Sequence, residues 1–217
     1  MQTARDASGG AVIPDEIVAG AVEAAKQLEK EDELILVGPG DLVRSKMAES
    51  GFRKGPLTVV DAPDTIGMDE SPVESLRSKP KSSISVMAKL AKHGQADAVI
   101  SAGNTGACVA AFQMRMRTLP GVNRPGIAVV FPMSAGPVTI CDVGANIACK
   151  PINLYQYGLM SSVYSRAILG IANPRVGLMS IGQEDAKGNE VVKRTRELLR
   201  SDPRVDFIGN IEGRDIF

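Results

Sequence analysis

Apolar positions fall into two alternating rhythms along the chain. Ile17, Val18, Ala21, Val22, Ala25 and Leu28 recur at helical spacing behind Pro14, Asp15 and Glu16, residues that suit a helix's first turn. Residues 34–37 (LILV) form a continuous apolar run ending at Gly38, and residues 57–60 (LTVV) form another ending at Asp61. Both predict buried strands. Ser82 and Ser83 are candidate N-caps for a helix carrying Ile84, Met87, Leu90 and Ala91, which Gly94 stops. Residues 98–100 predict a strand running into Ser101, and a helix follows to about Arg117.

Beyond the turn-rich stretch 120–125, residues 127–131 and 138–141 read as two more strands. A long helix is predicted over 152–169, a strand over 175–181, a helix over 191–199 and a last strand over 205–208. Continuously apolar strands separated by helices imply a mainly parallel sheet covered on both faces. The fold class is therefore α/β, a three-layer sandwich. No repeat, low-complexity tract or linker interrupts residues 1–217, so a single α/β domain is expected.

Composition narrows the chemistry. The 217 residues carry 25 basic and 25 acidic side chains, a balance that lacks the electrostatic footprint of a nucleic-acid binder. One histidine, His93, excludes a histidine-rich metal centre, and its place between Lys92 and Gly94 reads as helix capping rather than catalysis. Cys108, Cys141 and Cys149 form neither a paired framework nor a zinc spacing, which points to a reducing cytoplasm, and Cys141 reads as strand core. The first six residues lack the apolar segment of a secretory signal, and no apolar run is long enough to span a bilayer. Neither glycine-rich nucleotide fingerprint occurs.

Gly38, Gly103, Gly144, Gly182 and Gly209 each follow the C-terminal end of a predicted strand. Ligands of open α/β sheets bind at that edge, because backbone N–H groups and helix N-termini converge there. A single such glycine only makes a tight turn; five favour a polar-ligand cleft. Three strings add chemistry. SAGNTGA (101–107) offers the Ser101 and Thr105 hydroxyls, the Asn104 amide and backbone N–H groups around Gly103 and Gly106 to a phosphate-sized anion. DVGAN (142–146), followed by Lys150-Pro151, sets Asp142, Gly144 and Asn146 beyond one strand. GQEDAKGNE (182–190) gathers Glu184, Asp185, Lys187 and Asn189 in one loop. An N-cap role for Thr105, a turn for Asn146 and a solvated loop around Lys187 are the structural alternatives.

Taken in order, these strings resemble the phosphate acyltransferase (PlsX) family of bacterial phospholipid synthesis. Arg124-Pro125, YGLMSSVYS (157–165) and FIGNIEGRD (207–215) extend the resemblance along essentially the whole chain. It implies transfer of a fatty acyl group from acyl carrier protein to inorganic phosphate, giving acyl phosphate, with no metal or organic cofactor. It also implies a fold similar to phosphotransacetylases and isocitrate-type dehydrogenases. Expected associates are a homodimeric partner copy, peripheral contact with the inner face of the membrane, and a downstream membrane glycerol-phosphate acyltransferase. The family's opening D-A-M-G-G-D string survives as Asp6, Gly9 and Gly10, with Arg5 at an apolar strand position and Ala11 replacing the second aspartate. Ala148 stands where an aspartate usually follows DVGAN. Family members continue past the position of Phe217 into a T-D-G-F-x-G-N string with a proposed catalytic asparagine, so the chain is expected to be shortened at its C-terminal end.

The reaction asks the protein to bind phosphate, place it near the thioester carbonyl and stabilise the oxyanion. SAGNTGA and DVGAN are assigned to the phosphate, with Glu184 as a further substrate contact. The resemblance places the candidate catalytic lysine at Lys187; Asn146 and Asn189 are candidates to orient oxygens, and Asp142 either orients a donor or Lys187 or is a carboxylate packed against a helix. A short-chain phosphotransacetylase and a degenerate, non-catalytic binding protein are the alternatives.

Overall fold

The computed structural model describes residues 1–8, 14–144 and 146–216. Gly9, Gly10, Ala11, Ala145 and Phe217, each singled out in the sequence, lie outside the described residues. The chain divides into two compact units, Met1–Arg117 and Thr118–Phe217. The sequence gives no sign of that division, because the helix–strand alternation runs through it without a change of composition.

The first unit holds β1 (Gln2–Asp6), α1 (Pro14–Ala25), β2 (Glu33–Gly38), α2 (Gly40–Glu49), β3 (Leu57–Asp61), α3 (Pro72–Ser78), α4 (Ser83–Lys92), β4 (Ala98–Ile100) and α5 (Thr105–Met116). Its four strands pair in parallel in the order β3-β2-β1-β4. Alternation along β2 divides the core. Leu34 and Leu36 pack with Val18, Val22, Val43 and Met47 from α1 and α2. Ile35 and Val37 pack with Leu76, Ile84, Met87 and Ala111 from α3, α4 and α5 on the other face. Helices thus cover both faces of a parallel sheet, as the continuous apolar runs require. Ser82 caps α4 by accepting from the Ser85 N–H at 3.4 Å, and His93 occupies the C-cap, its N–H bonded to the end of the helix.

Three elements of this unit leave little trace in the pattern. β1 reads QTARD, a polar string; it is a strand because β2 and β4 pair with it on both sides. α2 buries Val43 and Met47 from a mostly polar sequence, and α3 is a seven-residue helix with Pro72 in its first turn.

The second unit holds β5 (Ala128–Met133), β6 (Gly136–Cys141), α6 (Pro151–Ala167), β7 (Arg175–Met179), α7 (Glu190–Ser201), β8 (Asp206–Ile211) and a 3-10 turn over Gly213–Ile216. β5 and β6 form an antiparallel hairpin, and β7 and β8 form a parallel pair joined through α7. Leu178, Leu199 and Val205 are the centre of this core, with Leu154, Leu159 and Phe207 against them. Among the described residues, no helix is long and apolar enough to cross a membrane.

Candidate functional site

The SAGNTGA loop joins β4 to α5 in the first unit. Asn104, not Thr105, is the N-cap of α5: its side-chain oxygen accepts from the Ala107 N–H at 2.9 Å. Its amide nitrogen donates to the carbonyls of Gly67 at 3.0 Å and Glu70 at 3.1 Å. Asn104 is 6% exposed, so it is a staple between α5 and the 67–70 loop rather than an open substrate ligand. Glu70 holds the far side of that loop. It accepts from Lys79, the Gly67 N–H and Ser75, and the Lys79 ammonium leads these in drawing its carboxyl down to about 2.

Ser101 is likewise committed. Its hydroxyl donates to the Asp6 carboxylate at 2.7 Å and accepts from the Gly103 N–H at 3.1 Å. Thr105 and Gly106 are exposed, and among the described residues their N–H groups have no protein acceptor. These two donors, at the positive end of a twelve-residue helix, are what the loop holds open to an anion. Gly106 is required here by space: a Cβ would come 2.8 Å from Pro72 Cγ.

The DVGAN loop follows β6 in the second unit and is organised around Asp142 and Tyr157. The Asn146 amide donates to the Pro125 carbonyl at 3.0 Å, the Tyr157 hydroxyl at 3.1 Å and Asp142 Oδ1 at 3.2 Å. The Cys149 thiol donates to Asp142 Oδ2 at 3.4 Å. Burial, and then the Asp142 charge, push the Tyr157 hydroxyl up to about 12, and burial also raises the Cys149 thiol. Asp142 therefore orients Asn146 and Cys149, and among the described residues it has no hydrogen bond to Lys187. The Gly144 N–H turns back to the Asp142 carbonyl at 3.1 Å. Cys141 is only partly buried.

The 182–189 loop joins β7 to α7. Asn189 is the N-cap of α7, accepting from the Val192 N–H at 3.0 Å. Asp185 ties the loop to the same helix through Arg200 at 3.1 Å, which lowers its carboxyl, and Asn210 donates to the Glu184 carbonyl at 3.3 Å. Lys187 sits between these anchors, exposed and without an ion-pair partner among the described residues. A Cβ on Gly182 would fall 2.8 Å from Glu184 Oε2 and 2.9 Å from Lys187 Cγ, so that glycine lets both side chains fold over the strand end.

Of the residues expected from sequence, Thr105, Gly106, Lys187 and Glu184 are exposed. Ser101, Gly103, Asn104, Asp142, Gly144, Asn146 and Asn189 are engaged in internal hydrogen bonds. Asp6, Glu70 and Tyr157 were not singled out as site residues. The signal for Asp6 is its place at the head of the family's opening string, and that for Tyr157 its place at the head of YGLMSSVYS; Glu70 carries none. Among the described residues no group of His, Cys, Asp and Glu side chains could hold a metal ion.

The protein is an α/β fold with an open helix N-terminus at the C-terminal end of β4. Its fold is that of the phosphotransacetylases: it superposes on the Streptococcus pyogenes enzyme with a TM-score of 0.69 at 19% identity, covering 97% of this chain and 68% of that one. The EutD phosphotransacetylase from Staphylococcus aureus gives 0.65 at 16%, with the same coverage. The chain belongs to the fatty acid synthesis protein family, whose match covers residues 1–217. Proteins named phosphate acyltransferase, from Nostoc sp. and Heliobacterium modesticaldum, are each 45% identical over 100% of this chain. The chain spans 63% and 64% of their respective lengths.

Proposed function

We propose that this chain is the larger part of an enzyme that transfers a fatty acyl group from acyl carrier protein to inorganic phosphate, giving acyl phosphate for phospholipid synthesis. The observation that carries the reading is full-chain identity of 45% to proteins named phosphate acyltransferase. A phosphate oxygen attacks the thioester carbonyl carbon, the C–O bond forms, and the C–S bond breaks. The carrier's thiolate leaves with the proton of hydrogen phosphate. Phosphate is already a competent nucleophile near neutral pH, so the protein supplies positioning and charge stabilisation.

Roles are assigned unit by unit. In the first, the Thr105 and Gly106 N–H groups bind an anion, and Asn104 keeps them in place. In the second, Lys187 stabilises the developing negative charge, supported by the loop that Asp185 and Asn189 anchor. Asp142 and Asn146 act as a pair that shapes the turn after β6. The protein works in the cytoplasm as a homodimer, peripheral to the membrane's inner face, and hands its product to a membrane glycerol-phosphate acyltransferase.

The test is acyl-phosphate formation, trapped with hydroxylamine, by a form extended to the relatives' length. Product from an acyl carrier protein thioester and phosphate, abolished without phosphate, supports the reading. Product from acetyl-CoA alone assigns a short-chain phosphotransacetylase instead, the activity named for the two structural neighbours. No product from either donor favours a binding protein.

A further inference from the structure

Asp6 ends β1 and is 1% exposed, with no cation at ion-pair distance among the described residues. Hydrogen bonds alone hold its carboxylate. The Ser8 N–H and hydroxyl donate to Oδ1 at 3.0 and 3.2 Å, and the Ser101 hydroxyl donates to Oδ2 at 2.7 Å. The last is a short, charge-assisted bond. β1 and β4 are neighbours with Arg5 opposite Ile100, so Asp6 and Ser101 are the next residues beyond the paired ends of two strands.

That geometry fixes a direction. The Ser101 proton points to Asp6, which leaves a Ser101 lone pair to receive the Gly103 N–H at 3.1 Å. With the Gly103 N–H turned inward, the chain tightens between β4 and α5, and Asn104 arrives at its cap position. The Ser8 hydroxyl also lies 2.9 Å from Ser83 Oγ, in the first turn of α4. The hydrogen bonds of Asp6 thus reach the starts of two helices, whose partial positive charge favours an unpaired carboxylate there.

We propose that Asp6 is a positioning residue: through the Ser101 hydroxyl it sets the 101–104 turn that presents the Thr105 and Gly106 N–H groups outward. Only the anion those groups would meet rests on the function proposed above; the orientation of the turn does not. Asp6 itself contacts no anion, since its charge would repel one.

Amide hydrogen exchange by NMR on residues 1–217 tests this, in the wild type and in Asp6→Asn, Ser101→Ala, their double variant and Ser101→Thr. Ser101→Ala and Asp6→Asn should each speed exchange at Gly103 by about tenfold relative to β2 amides, the scale of one lost hydrogen bond. The double variant should be no faster than the faster single, because both act through one link. Ser101→Thr, which keeps the hydroxyl, should restore protection. Unchanged Gly103 exchange in Ser101→Ala, additive effects in the double variant, or equal loss across β2 overturns the proposal. Should Asp6→Asn fail to fold, Asp6→Glu, which keeps the charge but displaces the carboxylate from the Ser101 hydroxyl, takes its place: unchanged Gly103 exchange in it overturns the proposal. A phosphate titration of the wild type, read at the Thr105 and Gly106 amides, is separate: no shift there counts against the anion reading alone.

Discussion

Glu70 accepts a hydrogen bond from the Lys79 ammonium at 2.5 Å while also holding the Gly67 N–H at 2.8 Å, so one carboxylate ties α3 to the loop that Asn104 grips. The Lys79 bond comes first in lowering the Glu70 carboxyl to about 2, followed by Gly67 and Ser75. A carboxyl lowered in the folded state contributes stability that is complete above its unfolded value, 4.5, and lost as pH falls toward about 2. Exchange at the Gly67 amide, taken relative to its intrinsic rate at each pH, should therefore quicken on acidification through that window. In Glu70→Gln it should be fast at neutral pH already, with a flatter dependence; an unchanged profile would disconnect Glu70 from the loop.

Asn104→Ala removes a helix cap and the staple to the Gly67 and Glu70 carbonyls together. Losing a cap costs about 1 kcal/mol, and leaving the half-buried carbonyls unpaired adds roughly 1 kcal/mol. Urea unfolding should show a loss of about 2 kcal/mol, far above that of an exposed substitution.

Tyr157→Phe leaves Asn146 without one of its acceptors and should cost about 1 kcal/mol. The Tyr157 hydroxyl is raised from 10.0 to about 12, so the folded state keeps its proton where the unfolded chain releases it. Its contribution is full below 10.0 and declines as pH rises toward about 12. Absorbance titration of phenolate formation, compared between wild type and Tyr157→Phe, should lose its latest step in the variant.

Lys187→Ala should leave stability within about 0.5 kcal/mol, because the side chain is exposed and unpaired among the described residues. In a form extended to the relatives' length, acyl-phosphate formation should fall roughly 100- to 1,000-fold, the scale of removing one preorganised charge stabiliser. Near wild-type turnover would remove Lys187 from the reaction.

Residues 1–217 by themselves should make acyl phosphate poorly beside that extended form. Catalysis by positioning fails when part of the surface that holds the reactants is missing. Exposed apolar side chains such as Ile147, Ile168 and Ile181 should also make the short form prone to association, measurable by light scattering. Equal turnover from a monodisperse short chain would contradict both expectations.

Much of the architecture was legible from the pattern alone. Apolar runs such as 34–37, short, partly β-branched and ended by a glycine, fit strands buried on both faces, and the spacing of Ile84, Met87 and Leu90 fits one helical face turned to them. The strand ends also located the loops that carry Thr105, Lys187 and Asn146. What the pattern could not hold was any element whose stability comes from its neighbours. β1 is polar in sequence and becomes a strand by pairing on two sides, and α2 survives on Val43 and Met47. The roles within the loops were settled the same way. Residue type made Ser101, Asn104, Asn146 and Asn189 candidates for substrate, since each can hydrogen-bond an oxyanion. Tertiary structure gave their polar atoms to Asp6, Gly67, Tyr157 and the first turn of α7. A side chain's chemistry is local and can be read from its name, whereas the partner that saturates it, like Ser101 reaching back to Asp6, comes from residues the fold brings together.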